Sequence, residues 1–117
     1  MNGSGRRGPI SQVEVEEEII RLLNLLEEET EVFERLSEDA AKKEATFKAE
    51  WAKAYLSNTG SIKEREAWAD YQMADQSMNY KIAEGLVKAK REKLSSLRTS
   101  IDALRTLNAN VRAMVMP

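Results

Sequence analysis

Apolar residues recur every three or four positions along two long stretches of this chain, with one short polar stretch between them. In the first, Val15, Ile19, Leu22, Leu26, Phe33, Leu36, Ala40, Phe47, Trp51 and Tyr55 keep this spacing with some drift. In the second, Ala83, Val87, Leu94, Leu97, Ile101, Leu104, Val111 and Val115 keep it, interrupted at Lys90 and Asn108. That period is helical and suits coiled-coil packing. The polar stretch is Ser57-Asn58-Thr59-Gly60-Ser61, the one strong break after residue 12. The pattern predicts helices over 12–57 and 62–115 joined by a turn at 58–61. Ser11 with Glu14 and Ser61 with Glu64 form capping boxes, in which the hydroxyl accepts from the backbone amide three residues on. Asn58 and Gly60 tolerate the positive φ of a helix stop. Residues 1–10 read as a flexible tail and 11–117 as one helical hairpin.

Folding at the turn sets residue i against roughly residue 119 − i. Trp51 then meets Trp68, Leu25 meets Leu94, Leu22 meets Leu97 and Val32 meets Val87. Glu27, Glu28, Glu29 and Glu31 land opposite Lys88, Lys90 and Arg91. The fold class is therefore all-α, a long antiparallel helical hairpin of coiled-coil type. Alanines crowd its middle: Ala40, Ala41, Ala45, Ala49 and Ala52 on one helix, Ala67, Ala69, Ala74 and Ala83 on the other. One hairpin has a thin core. Leu22, Leu23, Leu25 and Leu26, Ile19 with Ile20, and Val32 with Phe33 cover more than one seam. Each Å² of that surplus, at about 25 cal/mol, favours a homodimer forming a four-helix bundle.

Composition narrows the chemistry. The 117 residues make one domain at most, with 32% charged and 6% aromatic side chains. No histidine or cysteine is present. That removes the common catalytic triads, zinc sites of those ligands and disulfides. Carboxylate pairs four apart, such as Glu14 with Glu18, lack the histidine that a di-iron bundle adds. No glycine-rich phosphate loop occurs; Gly60 and Gly85 are isolated, and Gly85 reads as room for Phe33 or a bend. An enzyme is not expected, nor a cofactor. Apolar runs are too short to span a membrane, and Arg6 and Arg7 precede no signal-like apolar run. A cytoplasmic protein without membrane partners is the expectation.

Two features carry functional readings. Net charge is −2, yet residues 51–117 hold 11 basic and 7 acidic side chains. Arg91, Arg98, Arg105 and Arg112 repeat every seven residues, about 10.5 Å apart on one helix face. Such a row would follow nucleic-acid phosphates. Alternatively it flanks the seam, with Arg91 on Glu28 and Arg105 on Glu14 or Glu18. Arg98 faces Arg21, and Arg112 lies beyond helix 1. The second feature is aromatic: Phe47, Trp51, Tyr55, Trp68, Tyr71 and Tyr80 gather toward the turn. Trp51, Tyr55, Trp68 and Tyr71 are candidates for docking a protein partner or stacking unpaired bases. The plainer reading packs Trp51 on Trp68 to close the hairpin, leaving Tyr71 exposed.

Residues 51–69, WAKAYLSNTGSIKEREAWA, and 94–113, LSSLRTSIDALRTLNANVRA, resemble small, mostly uncharacterised helical proteins encoded by tailed phages of actinobacteria. The resemblance extends over residues 12–115 and rests on composition and rhythm. It implies a phage accessory protein in the host cytoplasm, near replication or recombination functions. It carries over no catalytic residue. The residues and the resemblance together lead to a non-enzymatic protein–protein interaction module, dimeric, with nucleic-acid binding as the alternative and a virion scaffold as a third reading.

Overall fold

The computed structural model describes residues 11–115, so the tail with Arg6 and Arg7 lies outside the described residues. Every element among them is a helix: α1 (Gln12–Ser57), α2 (Ile62–Gln72) and α3 (Ala74–Val115). The capping box at Ser11 forms in full, and at Ser61 the N-cap bond forms while the Ser61 hydroxyl donates to Glu64 Oε1 at 3.2 Å. The Glu14 amide donates to Ser11 Oγ at 3.2 Å, and the Ser11 amide reaches Glu14 Oε2 at 3.4 Å. The Glu64 amide donates to Ser61 Oγ at 3.2 Å. Gly60 turns the chain with φ +117°, whereas Asn58 keeps a negative φ. A Cβ at Gly60 would stand 2.6 Å from Glu64 Oε2, the end of a side chain that can swing aside, so it is the positive φ that calls for glycine.

The sequence predicts one helix over 62–115, but the structure opens it at Met73 (φ −105°, ψ 15°). Helical bonding continues through the opening, with the Met73 amide on Ala69 O at 3.0 Å and the Ser77 amide on Met73 O at 2.8 Å. No glycine or proline stands there. The spacing of covered residues changes beyond it. Arg65, Ala69, Met73 and Ser77 are covered every four residues, whereas Ala83, Val87, Lys90, Leu94 and Leu97 alternate four and three. Steps of four rotate a stripe by about 40° each on a 3.6-residue helix. That spacing runs through Met73 to Ser77, and the phase is reset beyond it, by the steps of three from Ser77 to Tyr80 to Ala83.

The chain divides into two compact units. The first joins the residues up to Glu29 with those from Lys93 onward; the second is Thr30–Glu92. In the first unit α1 and α3 run antiparallel, as the pairs Glu29–Lys93 (3.3 Å) and Glu16–Arg112 (3.7 Å) show. Its core is aliphatic: Val15, Leu22, Leu94 and Ile101 are buried. Asn108, an interruption in the apolar pattern, occupies the seam, and its Oδ1 is buried without a hydrogen-bond partner.

In the second unit α1 also runs antiparallel to the returning chain. Trp51 Nε1 donates to Asp70 Oδ1 at 2.9 Å, and Phe47 stacks on Tyr80 at 5.6 Å between ring centroids. Its buried core is Ala40, Ala69 and Ala83 alone. Ala41, Ala45, Ala49, Ala52, Ala67 and Ala74 are exposed, because helical phase turns them off the seam.

The facing residues correct the 119 − i register. Trp51 meets Asp70, where residue 68 was expected; Phe47 meets Tyr80, where 72 was expected; Glu29 meets Lys93, where 90 was expected. Most pairs beyond the opening at Met73 lie further along than the pair before it.

Candidate functional site

The aromatic residues of the second unit form an inner and an outer set. Trp51 and Tyr55, one turn apart on α1, stack with ring centroids 5.5 Å apart and planes 19° from parallel. The Arg65 guanidinium lies over the Tyr55 ring, 5.9 Å from its centroid, with Nε buried and unpartnered. The Trp51 indole N–H is held by Asp70. This set is half-buried and closes α1 against α2. The predicted Trp51–Trp68 packing is replaced by these contacts. Phase explains it: Ala69, the fully covered residue of α2, occupies the seam, so neighbouring Trp68 points off it.

Trp68 and Tyr71 form the outer set, tilted together at 6.4 Å. Trp68 is 41% exposed and Tyr71 75%. Leu56 and Ile62, flanking the turn, are exposed as well. Of the four aromatic candidates, Trp68 and Tyr71 are thus presented to solvent, while Trp51 and Tyr55 support the fold.

Tyr80 belongs to neither set. The Glu44 carboxylate, hydrogen-bonded to its phenol, pushes the Tyr80 pKa up to about 12, with Glu84 adding in the same sense. An anion beside a phenol disfavours the phenolate.

The arginine row does not form a line of free guanidinium groups. Arg91, in the second unit, lies over the Phe33 ring at 5.7 Å instead of pairing with Glu28. The other three belong to the first unit. Arg105 pairs with Asp102 at 3.8 Å, one turn earlier on its own helix, instead of Glu14 or Glu18. Arg112, expected beyond α1, reaches Glu16. Arg98 lines a shallow groove with Leu23, Leu26, Ile101 and Asp102. The arginine ion pairs are solvent-exposed and contribute little to stability, about 0–1 kcal/mol each.

A further apolar surface was not legible as a site. Met78, Ile82 and Leu86 on α3 are exposed, and they lie off the seam of Ala83, Val87 and Leu94. Gly85 sits among them. A Cβ there would meet nothing within 4 Å, so this glycine makes no room for Phe33. The spacing of four in Met78, Ile82 and Leu86 was the available signal.

Among the described residues, no group of three or more His, Cys, Asp or Glu side chains could hold a metal ion. No helix among them is long and apolar enough to cross a membrane. Comparison with protein-family models, curated proteins and solved structures gives no match.

Proposed function

We propose that this chain is a non-enzymatic helical-hairpin interaction module that docks protein partners and associates with its own copy as a homodimer. The observation that carries the reading is the surface of the second unit. It buries only alanines fully, yet leaves Leu56, Ile62, Trp68, Tyr71, Met78, Ile82 and Leu86 exposed. Single exposed apolar residues are ordinary, but contiguous apolar patches mark interaction sites. Trp68 and Tyr71 are of the types that anchor interfaces. The phage resemblance extends the proposal to an accessory role in a bacterial cytoplasm.

Nucleic-acid binding through Arg91, Arg98, Arg105 and Arg112 is the competing reading. Three of these guanidinium groups have ring or carboxylate neighbours, which weighs against it. Light-scattering mass with and without short single- and double-stranded DNA, at low and moderate salt, separates the two. The proposal expects a concentration-dependent dimer that ignores both DNAs. A DNA-bound species that dissolves as salt rises would replace it with the arginine reading.

A further inference from the structure

We propose that the exposed α3 strip of Met78, Ile82 and Leu86 seats a second copy of this chain, antiparallel, about a two-fold axis between Gly85 and Leu86. This rests on the self-association proposed above and specifies its surface and register.

Size complementarity is the first argument. Around that axis residue i faces roughly residue 171 − i of the copy. Leu86 then projects onto Gly85 of the second copy, and Ile82 onto its Ala89. Leu86 and Ile82 each meet a small residue, the symmetry repeats both contacts, and Met78 at the end of the strip faces the stem of Lys93 of the copy. Centring the axis on Ile82 instead would stack Ile82 on itself and Met78 on Leu86, large against large.

Gly85 is the second argument. Glycine is the poorest helix former after proline. Nothing in its own chain lies within 4 Å of where its Cβ would be. Its own fold therefore gives no steric reason for glycine, whereas an approaching Leu86 does.

Charge is the third. Lys81, Glu84, Lys88 and Glu92 alternate in sign along one side of the strip, and all four are exposed. The same axis brings Glu84 near Lys88 of the copy, and the symmetry makes that contact twice. A parallel pairing would set each charge beside its own kind. Opposed signs across an interface fix register and exclude wrong partners.

The area sets the strength. Met78, Ile82 and Leu86 are 60%, 56% and 52% exposed. At roughly 200 Å² for a large side chain, that is about 300 Å² of apolar surface on each copy. Two such strips with their charged rims fall at the low end of specific interfaces, below about 1,200 Å². The pair is therefore an exchanging one, smaller than the interface of an obligate dimer.

The chain has no cysteine, so one introduced thiol reports its neighbours. Gly85→Cys, close to the axis, should form a disulfide-linked dimer under mild oxidation at high protein concentration, because the covalent bond captures even the pair that the added side chain weakens. Thr46→Cys, exposed on α1, should stay monomeric under the same conditions. Gly85→Ala should weaken association about tenfold by overpacking against Leu86 of the copy. Lys88→Glu should also weaken it, and adding Glu84→Lys should restore it, with helicity checked for each variant. A wild-type chain that sediments as a monomer at every concentration overturns both the dimer and this face. A wild-type dimer in which Gly85→Cys links no faster than Thr46→Cys, and in which the charge swap restores nothing, keeps the dimer and overturns this face.

Discussion

The two units solve the same packing problem with different residues. The first buries Val15, Leu22, Leu94 and Ile101, branched aliphatics that fill the space between two antiparallel helices. The second buries Ala40, Ala69 and Ala83 and leaves its large side chains half-covered or exposed. Burying a large aliphatic side chain contributes about 1.5–3 kcal/mol, and an alanine contributes much less. The aliphatic seam is thus built for stability. The alanine seam contributes less, and its unit exposes Leu56, Ile62, Trp68, Tyr71, Met78, Ile82 and Leu86, where the first exposes Val13, Ile20, Leu23 and Met114.

The sharpest way to break this comparison is truncation in each seam and on the exposed strip. Leu94→Ala or Ile101→Ala should lower unfolding stability by about 2–5 kcal/mol in urea melts. Ile82→Ala or Leu86→Ala in dilute protein should stay within about 0.5 kcal/mol of the parent. Comparable losses at both places would erase the distinction.

Asn108 sharpens the account of the first unit. Its buried Oδ1 has no partner, so Asn108→Leu should stabilise the chain by about 1–3 kcal/mol, read from the same melts. A lone polar residue in such a seam specifies register. The gain should therefore come with looser specificity, visible as new species in sedimentation.

Two glycines of the second unit should respond with opposite signs. Gly60→Ala forces a side chain into positive φ and toward Glu64, and should lower stability by about 1–2 kcal/mol. Gly85→Ala enters open space and should raise thermal stability by about 1 kcal/mol in dilute protein.

The smallest effect is a pH dependence. The folded-state pKa of Tyr80 is raised from 10.0 to about 12, so folding holds its proton more tightly than the unfolded chain does. That stabilising contribution is complete below about pH 10 and is lost as pH rises through about 12. Tyr80→Phe should remove this component from the difference in melting curves between pH 9 and pH 12. Phenolate absorbance, in a background where Tyr55 and Tyr71 are Phe, would locate the pKa directly.

Local chemistry made much of the fold legible. Ser11 with Glu14, Ser61 with Glu64, and Gly60 are short-range signals, and they marked the ends of α1 and the start of α2. Helical periodicity also identified the covered residues, from Val15 to Tyr55 on α1 and from Ala83 to Val111 on α3. The opening at Met73 was not legible, because no glycine or proline marks it. The partners of Arg91, Arg105 and Arg112 were not legible either, because they depend on how each long side chain reaches across the seam or back along its own helix. At the aromatic end the composition was visible, but the division was not. Which of Trp51 and Trp68 faces inward depends on the phase that Ala69 sets. Met78, Ile82 and Leu86 escaped notice because a four-residue spacing resembles a seam that has drifted.

Amide hydrogen exchange at two protein concentrations tests the central claim most directly. The account predicts that raising concentration slows exchange in residues 78–92 of α3, while residues 12–29 and 94–111 are unchanged. Slowing confined to the aliphatic unit, or no change anywhere at concentrations where the chain sediments as a dimer, would contradict it.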